Sequence, residues 1–342
     1  MQPIEFQRPV EQGLVSVIIP THNGDKFIGD ALDSIAAQTY DRWEVIVVED
    51  GTRGETEAIV QRFAAAHPGN RVHYQRSEQA NGPSHTRNVA FTLAAGEWVA
   101  FLDCDDRWLP NHLSTCVAAL TDHAADVAYS AALMCEDGTD HVLGHWGPTH
   151  AEVADFPRSL LGRSYITPSA TVIRRTLLRD VGPWNTTCRY GEDADFFLRA
   201  AKIRKTFRYV GGVHCLYRKN HAEAATRNIA ATIEAWATVA SWYPDLPGVD
   251  RKHAERASSQ SFALAARLHG TGDTAADPSA DRSRAAPLYY RAWRLKPKHI
   301  GYLFQTIRYA IRHGYSREEA SQKRQQLESG EGTIAAPAKA AA

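Results

Sequence analysis

The feature that most limits what this chain can fold into is the alternation in its first third. Short β-branched apolar runs are separated by stretches whose apolar residues recur at helical spacing. Val15–Pro20 is such a run, closed by a proline that cannot continue a central ladder. Phe27, Ile28, Ala31, Leu32 and Ile35 then predict a helix over 26–38 with one buried face. Glu44–Glu49 predicts a second strand, followed by the turn signal Asp50-Gly51. Helices are expected over 56–66 and 83–95, a weaker strand over 72–75, and a fourth strand over 98–102 that ends in Asp103 to Asp106.

Strands that read as continuous apolar runs between helices indicate a mostly parallel sheet covered on both faces. Ligands of such sheets bind beyond the carboxyl ends of the strands. Polar residues stand at three of those ends: Thr21-His22-Asn23, Glu49-Asp50 and Asp103 to Asp106. The middle third is less regular. Strands are expected over 127–133, 170–173, 207–210 and 213–217, with a turn at 137–138 and a helix over 193–201. From about 225 the pattern is helical. Residues 271–287 are polar and rich in Ala and Pro and read as a linker, and 329–342 as a disordered tail.

Composition excludes several classes. The 39 Lys and Arg balance 39 Asp and Glu, which argues against a nucleic-acid binder. No apolar run is long enough to span a bilayer, and the first residues lack the layout of a secretory signal. The cysteines at 104, 116, 135, 188 and 215 are odd in number and widely spaced. They read as buried small hydrophobes of a cytoplasmic protein, without a disulfide framework or zinc site.

Asp103-x-Asp105, with Asp106 beside it, places carboxylates where the backbone turns. Hard divalent cations such as Mn²⁺ or Mg²⁺ take such oxygen ligands and leave positions for phosphates. The alternative is a plain turn, since Asp is common there. Context favours the first reading. Pro20-Thr-His-Asn23, Val48-Glu-Asp-Gly51, Gly82-Pro-Ser-His-Thr-Arg-Asn-Val-Ala90, Ala95-Gly-Glu-Trp98 and Phe101-Leu-Asp-Cys-Asp-Asp106 occur in order. Together they resemble the family 2 glycosyltransferases over roughly residues 14 to 221.

The resemblance implies a GT-A fold, a Rossmann-like mixed sheet binding a nucleoside diphosphate sugar, with a helical C-terminal extension here. It implies that Pro20, Thr21, His22 and Asn23 lie against the nucleotide, His22 standing where an aromatic often faces the base. Glu49 and Asp50 follow the second strand, and Asp50 matches the carboxylate that hydrogen-bonds the base, usually uracil. Arg87 matches the basic residue of an A-R-N segment, although Thr86 replaces the Ala. Asp103 and Asp105 match the pair that holds the metal and the sugar nucleotide. Glu192-Asp193 match an acidic pair at the start of an acceptor-side helix, with Asp193 as catalytic base and Glu192 positioning the acceptor or a neighbouring donor. Asp195 and Arg199 read as a helix-surface pair. Arg218 resembles a residue that neutralises the diphosphate, and His214 or His221 could approach the metal. Asn220 stands where the family's histidine would fall, so this segment is out of register.

The implied activity is metal-dependent, inverting transfer of a sugar, from a UDP-sugar by analogy, to a hydroxyl of a glycan, lipid-linked saccharide, peptide or natural product. The donor sugar, the acceptor and the oligomeric state stay open. Two rivals stand beside it. A nucleotidyltransferase would carry a Gly-rich phosphate loop, which Thr21 to Gly24 does not resemble. A non-catalytic helical protein with a vestigial site is disfavoured by the intact acids at 50, 103, 105 and 193.

The expected domains are 1–224 (catalytic), 225–328 (helical) and 329–342 (tail). Residues 1–281 carry 27 basic against 35 acidic side chains, whereas 282–324 carry eleven against two. That basic segment, interleaved with Tyr289, Tyr290, Trp293, Tyr302, Phe304 and Tyr309, suits peripheral contact with an anionic membrane, docking onto the rest of the chain, or a partner. Leu288–Pro297 looks like one helix of a tetratricopeptide unit, without the repeats a solenoid needs.

Overall fold

The first apolar run becomes β1 (Glu11–Thr21), which enters the sheet four residues before its β-branched part, at Glu11. Then come α1 (Ile28–Ala36), β2 (Trp43–Asp50), α2 (Thr56–Ala66), β3 (Val72–Ser77), α3 (Pro83–Leu93) and β4 (Gly96–Phe101). Next are β5 (Arg107–Trp108), α4 (His112–Asp122), β6 (Val127–Glu136), β7 (Val142–Trp146), α5 (His150–Ala154), β8 (Thr171–Arg174), α6 (Leu177–Val181), α7 (Glu192–Lys202) and β9 (Phe207–Lys219). The chain continues with α8 (Ile229–Ser241), α9 (Arg251–Thr271), α10 (Ala285–Leu295) and α11 (Ile300–Arg312). This computed structural model describes residues 4–137, 139, 141–219, 228–271 and 281–312. Residues 220 and 221, 272–280 of the predicted linker and the predicted tail over 329–342 lie outside the described residues.

The chain divides into two units, one of 1–154, 165–186 and 199–223, the other of 155–164, 187–198 and 224–342. In the first, nine strands form one mixed sheet in the order β3-β2-β1-β4-β8-β6-β9-β5, with β7 paired to β6. β1 runs parallel to β2 and β4, and β2 to β3. Beyond β4 the sheet turns antiparallel through β8. Val15, Val17, Ile19, Val45, Val47 and Ala100 build the core with Ile28, Leu32 and Ile35 of α1, the buried stripe that helical spacing predicts.

Glu44, fully buried at the start of β2, ties three strands together. One carboxylate oxygen accepts from the Ser16 hydroxyl at 2.6 Å and the Ala95 N–H at 2.7 Å, and the other meets Arg8 and Arg71 at 2.9 and 3.1 Å. Each lone pair thus has a donor, which is what makes a buried carboxylate tolerable.

Two expectations are corrected. The strands predicted over 207–210 and 213–217 are one, β9. Its break in pattern is Gly211-Gly212, at φ +75° and +66°, which accommodates a register shift against β6. The predicted linker over 271–287 is trimmed at both ends, because α9 runs to Thr271 and α10 begins at Ala285.

In the second unit, Ala237 of α8, Phe262, Ala265 and Ala266 of α9, and Leu288, Tyr289 and Ala292 of α10 share one core. Buried Glu234 meets a guanidinium and an imidazole there. Its oxygens accept from Arg284, with Nε at 2.7 Å, and His269 Nε2 stands 3.0 Å away. His269 Nδ1 accepts the Asp281 N–H at 3.0 Å, so the ring proton sits on Nε2, facing Glu234.

Candidate functional site

Register sets the site. Thr21 stands opposite Glu49, and Ile18 opposite Phe101, so the carboxyl ends of β1, β2 and β4 share one edge of the sheet. The three polar clusters that the sequence placed at strand ends converge there.

At β4, Arg87 Nη2 of α3 donates to Asp103 Oδ1 at 2.6 Å. Arg87 is 3% exposed and its guanidinium lies 4.6 Å from the centre of the Trp184 ring. Trp184 is itself pinned by Asn88, which donates to its carbonyl at 2.9 Å and accepts its N–H at 2.8 Å. The Asp103 N–H donates to the Ser169 hydroxyl at 3.1 Å, and the Trp108 indole to the Ser169 carbonyl at 2.6 Å. Asp103 is therefore held from both its backbone and its side chain.

Asp106 closes the same turn, its N–H donating to the Asp103 carbonyl at 3.0 Å. Its carboxyl is pushed well above the usual carboxylate range by burial and by the charges of Asp105 and Asp103, against bonds from Ser169 and the Arg218 N–H. Burial and the same acids push the Cys104 thiol up, which suits an inert neighbour. Lys219 is pushed down to about 8 by burial, opposed by Asp106 and Asp105. It is a basic group near the turn that the sequence reading passed over.

Arg218 is engaged on several sides. Nε donates to the Asp105 carbonyl at 2.9 Å, Nη1 to Asp137 at 2.9 Å and Nη2 to Asp30 at 2.7 Å, while its N–H holds Asp106 at 3.0 Å. It lines a polar cavity with Asp30, Asp105, Arg107 and Glu136. These bonds fasten β9 to the acidic turn.

At β2, Asp50 accepts the N–H groups of Asn81 and Gly82 at 2.8 and 2.7 Å, shaping the entry to α3. His22 donates from Nδ1 to the Asp50 carbonyl at 2.7 Å and its ring is exposed. Glu49, 1% exposed, turns inward and accepts the hydroxyls of Thr52, at 2.6 Å, and of Tyr74. Pro20 and Thr21 are buried, whereas Asn23 is exposed at φ +52°.

Glu192 and Asp193 open α7 and are half-buried, with the Ala194 N–H donating to Asp193 Oδ1 at 2.7 Å. The surface pair expected at 195 and 199 is corrected. Asp195 is fully buried and accepts the Tyr243 hydroxyl at 2.7 Å, while Arg199 donates to the carbonyls of Val181 and Pro183 at 2.6 and 2.9 Å. His214 joins no metal-holding group among the described residues, and His221 lies outside them.

The acidic turn fits a hard divalent cation on the chemistry of its donors. Asp103 and Asp105 present carboxylates from one turn, and their charge already bears on Asp106, a crowding that a cation relieves. Among the described residues no group of three or more His, Cys, Asp or Glu side chains is placed to hold a metal ion, so the turn would offer two carboxylates and the remaining positions would fall to substrate oxygens.

Residues 16–182 match the family model described as glycosyl transferase family 2, so this region of the chain belongs to that family. A relative in Escherichia coli, the UDP-Glc:α-D-GlcNAc-diphosphoundecaprenol β-1,3-glucosyltransferase WfgD, is 32% identical over 116 residues, 34% of this chain and 44% of that protein. The chain spans about half the length of the first curated relatives it matches. Staphylococcus aureus TarS 1–349 in complex with UDP-GlcNAc superposes with a TM-score of 0.61 at 18% identity, over 89% of this chain and 93% of that one. The mannosyltransferase PcManGT from Pyrobaculum calidifontis, in complex with GDP-Man and Mn²⁺, gives 0.50 at 20% identity over 96% and 84%. The fold is the GT-A fold, with C-terminal helices attached. No helix among the described residues is long and apolar enough to cross a membrane.

Proposed function

We propose that this protein is a metal-dependent inverting glycosyltransferase that moves a sugar from a UDP-sugar to a hydroxyl of a glycan, lipid-linked saccharide, peptide or natural product. The observation that carries this reading is the Arg87–Asp103 pair at the end of β4, beside the ends of β1 and β2. Preference for UDP over other nucleotides rests on TarS, solved with UDP-GlcNAc, and on WfgD, named for UDP-Glc. A cytoplasmic setting is supported by five free cysteines.

His22 and Asn23 face the nucleotide, and Asp50, besides shaping the entry to α3, keeps acceptor capacity for the base. Pro20, Thr21 and Glu49 support that wall from within. Asp103 and Asp105 would hold Mn²⁺ or Mg²⁺, which when bound neutralises the charge of the departing diphosphate. Arg87 adds a fixed positive charge, and Arg218 keeps the acidic turn in place. Asp193 takes the proton of the acceptor hydroxyl, with Glu192 positioning the acceptor. The acceptor oxygen bonds to the anomeric carbon as the bond to the diphosphate oxygen breaks on the opposite face. The electron pair leaves with the nucleoside diphosphate and the centre inverts.

Asp193→Asn tests the assignment of the base. Transfer should fall at least about 10²-fold while titration of the sugar nucleotide still shows binding near that of the parent protein. Full transfer activity in the variant would remove Asp193 from this role.

A further inference from the structure

The basic C-terminal segment has two faces in the structure, and they differ in kind. Tyr302 and Tyr309 of α11 turn inward, their rings 6.4 and 5.8 Å from that of Tyr289 in the core of the second unit. Ile300 and Phe304, one helical turn apart, point away from that core and are 58% and 67% exposed. Phe304 is the most exposed of the large apolar side chains described. Arg308 is the next residue along the same face, and Arg294, Lys298 and His299 are exposed just before it. Between 282 and 312 there are eight Lys and Arg and no Asp or Glu.

We infer that this face is a membrane-docking surface for anionic lipid. Two bulky apolar side chains this exposed suit a partner that accepts them without a matching pocket, and the headgroup–acyl boundary does so. The cations around them meet anionic headgroups, each strengthening attachment about fivefold near a charged surface. The absence of carboxylates from the whole stretch removes the groups such a surface would repel. The contact is peripheral, and the helices stay packed through their tyrosine side.

This inference does not depend on the donor site, and one protein preparation separates the two. The full chain should co-sediment with vesicles of phosphatidylglycerol mixed with phosphatidylcholine, not with phosphatidylcholine alone, and less in high salt. Ile300→Ser/Phe304→Ser should weaken binding at least about tenfold, and Lys298→Glu, an exposed change that threatens no packing, about fivefold or more. Unchanged circular dichroism and melting would show that both variants are folded. The proposal is overturned if the parent protein stays in the supernatant, or if both variants bind as it does. It is equally overturned if their only effect is to turn an oligomer into a monomer, which would make the face a contact between copies. Vesicle binding without nucleoside diphosphate release, or the reverse, distinguishes failure of one reading from failure of the other.

Discussion

Arg87 donates to Asp103 at 2.6 Å from a position that is 3% exposed, so the first carboxylate of the acidic turn is oriented by a buried cation on a neighbouring helix. Arg87 is in turn seated on Trp184, whose backbone is clasped by Asn88, the next residue of α3. One turn of helix thus sets both the charge and the geometry of the site.

Replacing Arg87 by Lys should lower kcat/KM for the sugar nucleotide at least about tenfold, because an ammonium cannot both stack on the indole and direct a fixed N–H at Asp103. Arg87→Ala should cost more. Steady-state kinetics with varied donor measures both, and an alanine variant within twofold of the parent protein would dissociate Arg87 from function.

His112 of α4 predicts an acid-sensitive fold. Burial, with a smaller contribution from His214, pushes its imidazole from 6.5 down to about 3. The ring lies 4.6 Å from that of Trp108, and neither nitrogen has a hydrogen-bond partner. Between those two pH values the unfolded chain binds a proton that the folded chain refuses. Stability is therefore full above 6.5 and falls as the pH drops toward 3, by about 1.4 kcal/mol per unit at most from this group. Urea unfolding of His112→Phe across that range should show a flatter acid limb, and an unchanged slope would contradict the assignment.

The ion cluster of the second unit predicts a stability defect with a specific remedy. Burial acts to raise Glu234, but bonds from His269 and Arg284 outweigh it and bring the carboxyl from 4.5 to about 2. A folded pKa below the unfolded one gives stability that is present above 4.5 and is lost as the pH falls toward 2. Arg284→Ala strands that buried charge and should cost about 3 kcal/mol at neutral pH. Adding Glu234→Gln should restore part of the loss in denaturant titration, and a double variant no more stable than Arg284→Ala would refute the argument.

The parts of the site that lie in one short stretch were legible in the sequence. Asp103 and Asp105 share a turn, and strand periodicity alone placed Asn23, Asp50 and Asp103 at equivalent ends. What holds those residues could not be read in the same way. Ser169 reaches Asp103 across 66 positions, and Arg218 reaches Asp105 across 113. Neither contact leaves a local pattern, since it is sheet pairing that brings β8 and β9 beside the turn. Glu49 ends the same strand as Asp50, and the pleat turns it inward to Thr52 and Tyr74, the second of these 25 positions away. Glycine misled the reading of β9, where two left-handed residues interrupt the sequence pattern without ending the strand.

The central claim, that the acidic turn serves transfer from a nucleoside diphosphate sugar, meets its most direct test in nucleoside diphosphate release. A panel of sugar nucleotides is incubated with the full chain, with and without Mn²⁺, beside an Asp103→Asn/Asp105→Asn variant of unchanged melting temperature. The account predicts release from a UDP-sugar that stops on chelation, returns with Mn²⁺ or Mg²⁺, and falls at least about 10²-fold in the variant. Release that proceeds equally in chelator, or that survives loss of both carboxylates, would contradict it.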